Sequence, residues 1–350
     1  MSGSTTYLVT GGTGSFGRMF VASCLTDRKT KRVIVYSRDE SKQHEMQQQF
    51  DDARVTYFIG DVRDKDRLAR AFQADVDVVV HAAAMKQAAA CENNPFEAVA
   101  TNVIGAKNVI DAALDCGVPK VIAMSTDKVV HPLNSYGATK LCAERLFVQG
   151  NSPASRNLTH FSCVRYCDAV SSCASVIPTF LRQLETGELT VSDEHVTRFW
   201  ITLDQSVKFA HTAIARMHGG EIFVPRIPSM GLLDLARAIA PQAKITVAGI
   251  RPGENLHECL ISASEARHTV ALKDMFVIKP EFPWWDVAGW SEGDVLPSGF
   301  EFSSDKNERW LTAAELAIVL ATAEHEAQSH FRRKHDFKLN TTKNISLGAA

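Results

Sequence analysis

Apolar positions in the first 130 residues fall into short, almost unbroken runs. Tyr7-Leu8-Val9-Thr10, Arg32-Val33-Ile34-Val35-Tyr36, Val55-Thr56-Tyr57-Phe58-Ile59, Asp77-Val78-Val79-Val80-His81 and Val121-Ile122-Ala123-Met124-Ser125 all have this character. A strand with one wet face alternates apolar and polar residues, whereas a parallel strand covered on both faces does not. Between the runs lie helix-length segments such as 64–73 and 95–114. This alternation predicts an α/β fold, a Rossmann-type doubly wound parallel sheet.

The pattern loosens after about residue 151. Segment 175–184 reads as a helix and 188–202 as a hairpin ending in Arg198-Phe199-Trp200-Ile201-Thr202. Segment 204–217 reads as a helix and 221–225 as a strand returning to the main sheet. A helix at 232–240 and a strand at 245–248 follow, then an irregular stretch with Trp284, Trp285 and Trp290, and a last helix at 313–327. The expected division is a Rossmann domain from 1–165 and about 204–226, with a smaller C-terminal substrate lobe from about 166–203 and 227–325. Residues 326–350 read as a flexible tail, whose Arg332-Arg333-Lys334 and Lys338 are more often solvated than bound.

Composition narrows the class. Thirty-eight Lys+Arg against 40 Asp+Glu leave a formal charge of −2, so no general basic field exists to hold nucleic acid or an anionic membrane. No apolar run approaches the ~20 residues that span a bilayer, and Met1-Ser2-Gly3-Ser4-Thr5-Thr6 lacks the features of a signal peptide. The eight cysteines form no C-x-x-C pair, which argues against a disulfide scaffold. The expectation is a cytoplasmic protein. Cys163, Cys167 and Cys173 match no zinc spacing, so no metal site is expected.

The chemistry begins at Thr10-Gly11-Gly12-Thr13-Gly14-Ser15-Phe16-Gly17, directly after the first strand. Glycines 11, 14 and 17 permit a tight turn, backbone approach to a pyrophosphate, and close helix packing. The cofactor-binding set therefore starts with Gly11, Thr13, Gly14, Ser15, Phe16 and Gly17. About 20 residues on, where an NAD enzyme usually places a carboxylate, the second strand ends in Ser37 and Arg38, with Lys42 a turn later. A hydroxyl and two cations suit the 2′-phosphate of NADP; the plainer reading pairs Arg38 with Asp39 or Glu40. Asp61 and Val62 suit the adenine edge, and Ala82, Ala83 and Ala84 let backbone approach a nicotinamide ribose. Both also read as ordinary strand ends.

Ser125-Thr126-Asp127-Lys128 closes the fifth strand, and Tyr136 and Lys140 follow on one helix face. An ammonium beside a phenol lowers its pKa from about 10 towards neutrality, which makes a base for a sugar hydroxyl.

Together the Gly-rich turn and the Tyr-x-x-x-Lys pair resemble the extended short-chain dehydrogenase/reductases. The closer resemblance is to the inverting UDP-N-acetylglucosamine 4,6-dehydratases. It is carried by Tyr36 to Gln43, Ala83-Ala84-Met85-Lys86-Gln87, Asn94-Pro95-Phe96-Glu97, Thr101-Asn102-Val103-Ile104-Gly105, and Ser125 to Lys140. Thr197 to Thr202, His218 to Pro225, Ile250 to Glu258 and Phe300 to Asp305 continue it, so it covers nearly the whole chain. The resemblance implies that Tyr136 takes the proton of the sugar 4-hydroxyl as NADP receives hydride from carbon 4. It implies that Thr126 orients that hydroxyl, Lys128 removes the carbon 5 proton, and Asp127 protonates the departing 6-hydroxyl. Hydride returns to carbon 6, and carbon 5 is inverted. Lys86, Asp168, Arg198, Arg251 and Glu254 become substrate-binding candidates, the substrate a UDP-sugar. A homo-oligomer, as a hexamer, is also implied. The membrane-attached retaining relatives carry Met where Tyr136 stands, which favours the inverting branch.

One stretch departs from the family pattern. Arg165-Tyr166-Cys167-Asp168-Ala169 stands for Arg-Tyr-Gly-Asn-Val, and Cys173 stands for an arginine. If this loop lines the diphosphate site, two unfavourable charge changes face the phosphates. The alternatives are therefore a dehydratase or epimerase of another nucleotide sugar, or a catalytically weakened NADP-binding homologue.

Overall fold

The apolar runs become β1 (Thr5–Thr10), β2 (Thr30–Ser37), β3 (Val55–Ile59), β4 (Val78–His81) and β5 (Lys120–Met124), joined by β6 (His160–Val164). The computed structural model describes residues 4–152, 159–169, 176–282, 290–312, 314–316 and 318. β1 lies between β2 and β4, and the parallel order runs β3-β2-β1-β4-β5-β6, followed by Ile222–Pro225. The chain winds outward from β1 in one direction and then from β4 in the other. The crevice at the carboxyl ends of β1 and β4 is where such sheets bind nucleotides.

The uninterrupted apolar character of the strands follows from their two covered faces. Leu8, Ile34, Val79 and Val121 enter one core, while Val9, Val33, Val35, Val80 and Ile122 enter the other. Beyond Ile222–Pro225 the sheet continues with Met275–Ile278, Thr269–Ala271 and Asp294–Val295, all antiparallel. These strands come from the stretch assigned by pattern to the smaller lobe. A third apolar cluster, around Ile177, Phe180, Leu189, Trp200 and Leu235, is separate from the two sheet cores.

Two expectations need correction. Segment 188–202 is not a hairpin: Glu188–Val191 runs parallel to Lys244–Val247, and Thr197–Phe199 runs antiparallel to Ser229–Gly231. The intervening Ser192-Asp193-Glu194-His195 lacks the glycine-bearing turn that fixes a short hairpin, and each half finds a partner from later in the chain. Segment 95–114 is not one α-helix. It is Pro95–Ala98, a π-helical turn Val99–Ile104, then Gly105–Cys116. The expected helix at 313–327, Trp284, Trp285, Cys173 and the tail lie wholly or mostly outside the described residues. No described helix is long and apolar enough to cross a membrane.

Candidate active site

Gly11 has φ +67°, and a Cβ there would sit 2.7 Å from the Ala83 nitrogen. Only glycine lets the first turn lie against the end of β4. A Cβ on Gly17 would lie 2.5 Å from the Gly12 Cα, so the helix Ser15–Thr26 packs onto the turn through bare backbone. Gly14 precedes that helix with no side-chain cap, leaving its first N–H groups to an external acceptor. A cradle that side chains would fill, opening on uncapped N–H groups, fits a dinucleotide pyrophosphate. Ser15 opens the helix, and Phe16 lies between Phe20 and Tyr166.

At the end of β2, Ser37 is buried with its hydroxyl 2.6 Å from that of Thr13. Arg38 is more than half exposed and stands 3.5 Å from Asp61, whose closer partner is Arg63 at 2.7 Å. The nearby Asp39 carboxylate is turned away, capping the next helix through the Lys42 N–H at 3.0 Å, and its other oxygen meets the Lys42 ammonium at 3.2 Å. Val62 is buried, and Ala82 to Ala84 are partly covered. The loop after β4 is held by Asn102, from the π-helical turn. Its side chain accepts the Met85 N–H at 2.8 Å and donates to the Met85 carbonyl at 2.9 Å. Lys86 is exposed on this loop.

The catalytic candidates come together at the end of β5. Asn134 caps the helix Ser135–Gln149 through the Gly137 N–H at 2.9 Å, which sets Tyr136 in its first turn. The Tyr136 phenol lies within reach of the Thr126 hydroxyl, which works against the rise in its pKa. Thr126 in turn donates to Asp127 Oδ1 at 2.9 Å, and the other Asp127 oxygen receives the Lys128 ammonium at 2.9 Å. Hydroxyl, carboxylate and amine thus form one hydrogen-bonded chain, with the phenol beside it.

Charge sets the proton affinities in this chain. Burial pushes Asp127 up to about 6; Lys128 draws it down, while Glu258 and Asp168 add to the rise. Burial alone would lower Lys128, but Asp127, Glu258 and Asp168 outweigh it and raise the ammonium above its ordinary value. Tyr136 is raised rather than lowered, first by burial and then by Asp168. Lys140, on the same helix, is buried, and its Nζ donates to the Met124 carbonyl at 2.7 Å. Burial also lowers the Lys140 pKa.

The substrate-binding candidates extend this network. Lys128 Nζ lies 2.8 Å from Glu258, Arg198 Nε lies 3.6 Å from the same carboxylate, and Arg198 reaches Glu254 at 2.9 Å. Arg251, four-fifths exposed, meets Glu254 at 3.1 Å. Negative and positive groups therefore alternate from buried Asp127 to the exposed Arg251. Asp168 is exposed and within electrostatic reach of Asp127, Lys128 and Tyr136, which places its charge at the catalytic groups. Behind the site, fully buried Arg165 is gripped by Glu144 at 2.6 Å and Glu265 at 2.8 Å, and Ser125 donates to Glu144 at 2.7 Å. Asn102, Glu258 and the Arg165 clamp were not singled out by sequence. Asn102 and Glu258 lie inside the matching stretches, but their partners are remote in the chain. Among the described residues, no cluster of His, Cys, Asp or Glu is arranged to hold a metal.

Comparison with known proteins decides the family. The family model described as polysaccharide biosynthesis protein matches residues 7–280. The chain belongs to that family. It is 45% identical over 322 residues to a UDP-N-acetylglucosamine 4,6-dehydratase (inverting) of Campylobacter jejuni, covering 89% of this chain and 96% of the relative. A UDP-glucose 4-epimerase of Rickettsia massiliae is 35% identical, with 91% and 96% covered. The X-ray structure of Pen from Bacillus thuringiensis superposes with a TM-score of 0.83 at 35% identity, covering 92% of this chain and 98% of that one. DesIV of Streptomyces venezuelae, a dTDP-glucose 4,6-dehydratase, shares the fold with a TM-score of 0.63 at 23% identity. The family member described here resembles the inverting dehydratases and has the Rossmann-type fold of the short-chain dehydrogenase/reductases.

Proposed function

We propose that this family member is a 5-inverting UDP-N-acetylglucosamine 4,6-dehydratase that works with NADP. The observation that carries the reading is the hydrogen-bonded Thr126–Asp127–Lys128 chain within electrostatic reach of Tyr136. When bound, NADP supplies the hydride acceptor for carbon 4 and the donor for carbon 6. Tyr136 takes the 4-hydroxyl proton, and Thr126 fixes the direction of that transfer. Lys128 and Asp127 then divide the elimination. One proton passes from the ammonium to the carboxylate, which gives an amine and a carboxylic acid. The amine removes the carbon 5 proton, and that C–H electron pair forms the new C5–C6 double bond. The acid protonates the 6-hydroxyl, and its C–O bond breaks to release water. Ammonium and carboxylate are restored, so the pair resets itself.

The cofactor assignment rests on exposed Arg38 and Lys42, and on the turning of Asp39 into a helix cap. In this proposal residues 1–165 and about 204–226 hold NADP, and about 166–203 and 227–325 hold the UDP-sugar, in a cytoplasmic homo-oligomer. A 4-epimerase, the second reading, is favoured by the Rickettsia relatives. It needs a base at the 4-hydroxyl but no acid–base pair for elimination, and the buried Asp127–Lys128 pair favours the dehydratase. Mass spectrometry of UDP-N-acetylglucosamine incubated with the protein separates them. Loss of one water supports the dehydratase, unchanged mass with a new sugar supports the epimerase, and no conversion refutes both. Lys128→Ala should stop both water loss and solvent deuterium entry at carbon 5; wild-type exchange would remove Lys128 as the base.

A further inference from the structure

We propose that Glu258 is a positioning residue for the elimination step, holding the Lys128 amine from the side opposite Asp127. The proposal rests on the dehydratase reading and deepens it. Glu258 is 1% exposed, and its Oε1 lies 2.8 Å from Lys128 Nζ. Four further contacts fix it. Arg198 Nε stands 3.6 Å from Oε1, and Asn255 donates to Oε2 at 3.4 Å. Its backbone N–H donates to Ser304 Oγ at 2.9 Å, and its carbonyl accepts from the Ser304 N–H at 2.8 Å. Ser304 is itself fully buried and braced by Thr197 at 2.7 Å.

The need for such a residue follows from the lysine stem. A four-carbon side chain held by one neighbouring carboxylate keeps much rotational freedom. Asp127 is adjacent in sequence and must also act as the acid, so it cannot serve as an invariant anchor. Glu258 can. Burial works against its charge, but Lys128 and Arg198 outweigh burial and keep its proton affinity low. It therefore stays an anion while Asp127 gains and loses its proton. Its permanent charge also raises the proton affinity of Lys128. The other groups acting on Lys128 are Asp127 on the same turn, Asp168 and Cys167 after β6, and Tyr136 on the next helix.

The test uses the full chain with NADP and UDP-N-acetylglucosamine. Glu258→Gln should lower kcat for water loss by at least about tenfold while KM stays within about twofold. The limb of the rate profile that rises with pH should move to lower pH, because Glu258 raises the proton affinity of Asp127 as well as of Lys128 and an amide does not. Glu258→Asp keeps the charge but is one methylene short, so it should lose rate with little displacement of that limb. Unchanged kcat in Glu258→Gln, or a limb that does not move, overturns the proposal. So does a change confined to KM, which would make Glu258 a substrate contact acting through Arg198. If Glu258→Gln does not fold by circular dichroism, Glu258→Asp decides, and wild-type kcat in it overturns the proposal. A wild-type protein that releases no water defeats the dehydratase reading and this proposal with it. An active wild type with an indifferent Glu258→Gln defeats this proposal alone.

Discussion

Acidification from pH 7 to pH 5 should cost this protein stability through one buried imidazole. His81 ends β4 immediately before the Ala82–Ala84 backbone, is 2% exposed, and has its Nδ1 2.8 Å from the Thr10 hydroxyl. Burial first, and Lys140 second, hold its pKa down at about 3. In the unfolded chain it returns to about 6.5. Between those values the unfolded state binds the proton and the folded state does not, so stability falls as pH drops below 6.5. At pH 7 the penalty is about 0.2 kcal/mol, and at pH 5 it reaches about 2 kcal/mol. With Nδ1 as acceptor, Thr10 donates to the ring and is left to receive the Ala83 N–H at 3.4 Å; protonating Nδ1 reverses that hydroxyl. His81→Asn keeps a hydrogen-bonding group near Thr10 and cannot titrate. Urea unfolding of both proteins at pH 7, 6 and 5, at one protein concentration, gives the comparison. The asparagine variant starts less stable because it leaves a void, and the gap should narrow by about 2 kcal/mol on going to pH 5. Parallel pH dependences would show that His81 does not titrate in this range and would refute the argument.

Arg38→Ala should cut NADP affinity by roughly tenfold or more and leave NAD almost unchanged, measured by calorimetry; equal affinities in the wild type would remove the NADP assignment. Asp168→Asn removes an anion acting on Tyr136, Asp127 and Lys128, which should lower the Tyr136 pKa and raise kcat/KM by roughly tenfold at neutral pH. An unaltered pH–rate profile would mean that Asp168 points away from the reacting groups. Arg165→Met strands Glu144 and Glu265 and should cost about 3–5 kcal/mol in denaturant unfolding. Changing both glutamates to Gln in that background should recover part of it, and a single-variant cost below about 1 kcal/mol would deny the clamp its structural role.

The parallel sheet was legible because covering both faces of a strand leaves a mark on consecutive residues. Leu8 and Val9 enter different cores, so neither position tolerates a polar side chain. The dinucleotide turn was legible because close approach of backbone to Ala83 admits only glycine at position 11. Thr126, Asp127, Lys128 and Tyr136 were legible because the groups that act together are close in sequence. Lys140 shows the limit of spacing arguments. Four residues put it on the helix face of Tyr136, but spacing does not say that its ammonium goes to the Met124 carbonyl. Nor does local pattern show a π-turn, since Asn102 is fixed by Met85 and Thr139 through tertiary hydrogen bonds. The strands in 188–202 misled because their partners lie beyond residue 228. Glu258 was hidden for the same reason.

The Arg165 clamp has a consequence for the order in which this protein matures on the ribosome. Its guanidinium follows Glu144 by 21 residues but precedes Glu265 by 100. At about 5–20 residues per second, that second interval lasts roughly 5–20 s. Through it, β1 to β6 and the glycine turn are already synthesised, while Arg165 has one of its two carboxylates. Lys128 likewise has Asp127 but not Glu258. Nucleotide-shaped architecture is thus available in the nascent chain before the proton-transfer groups are locked, and the last stretch of translation converts one into the other.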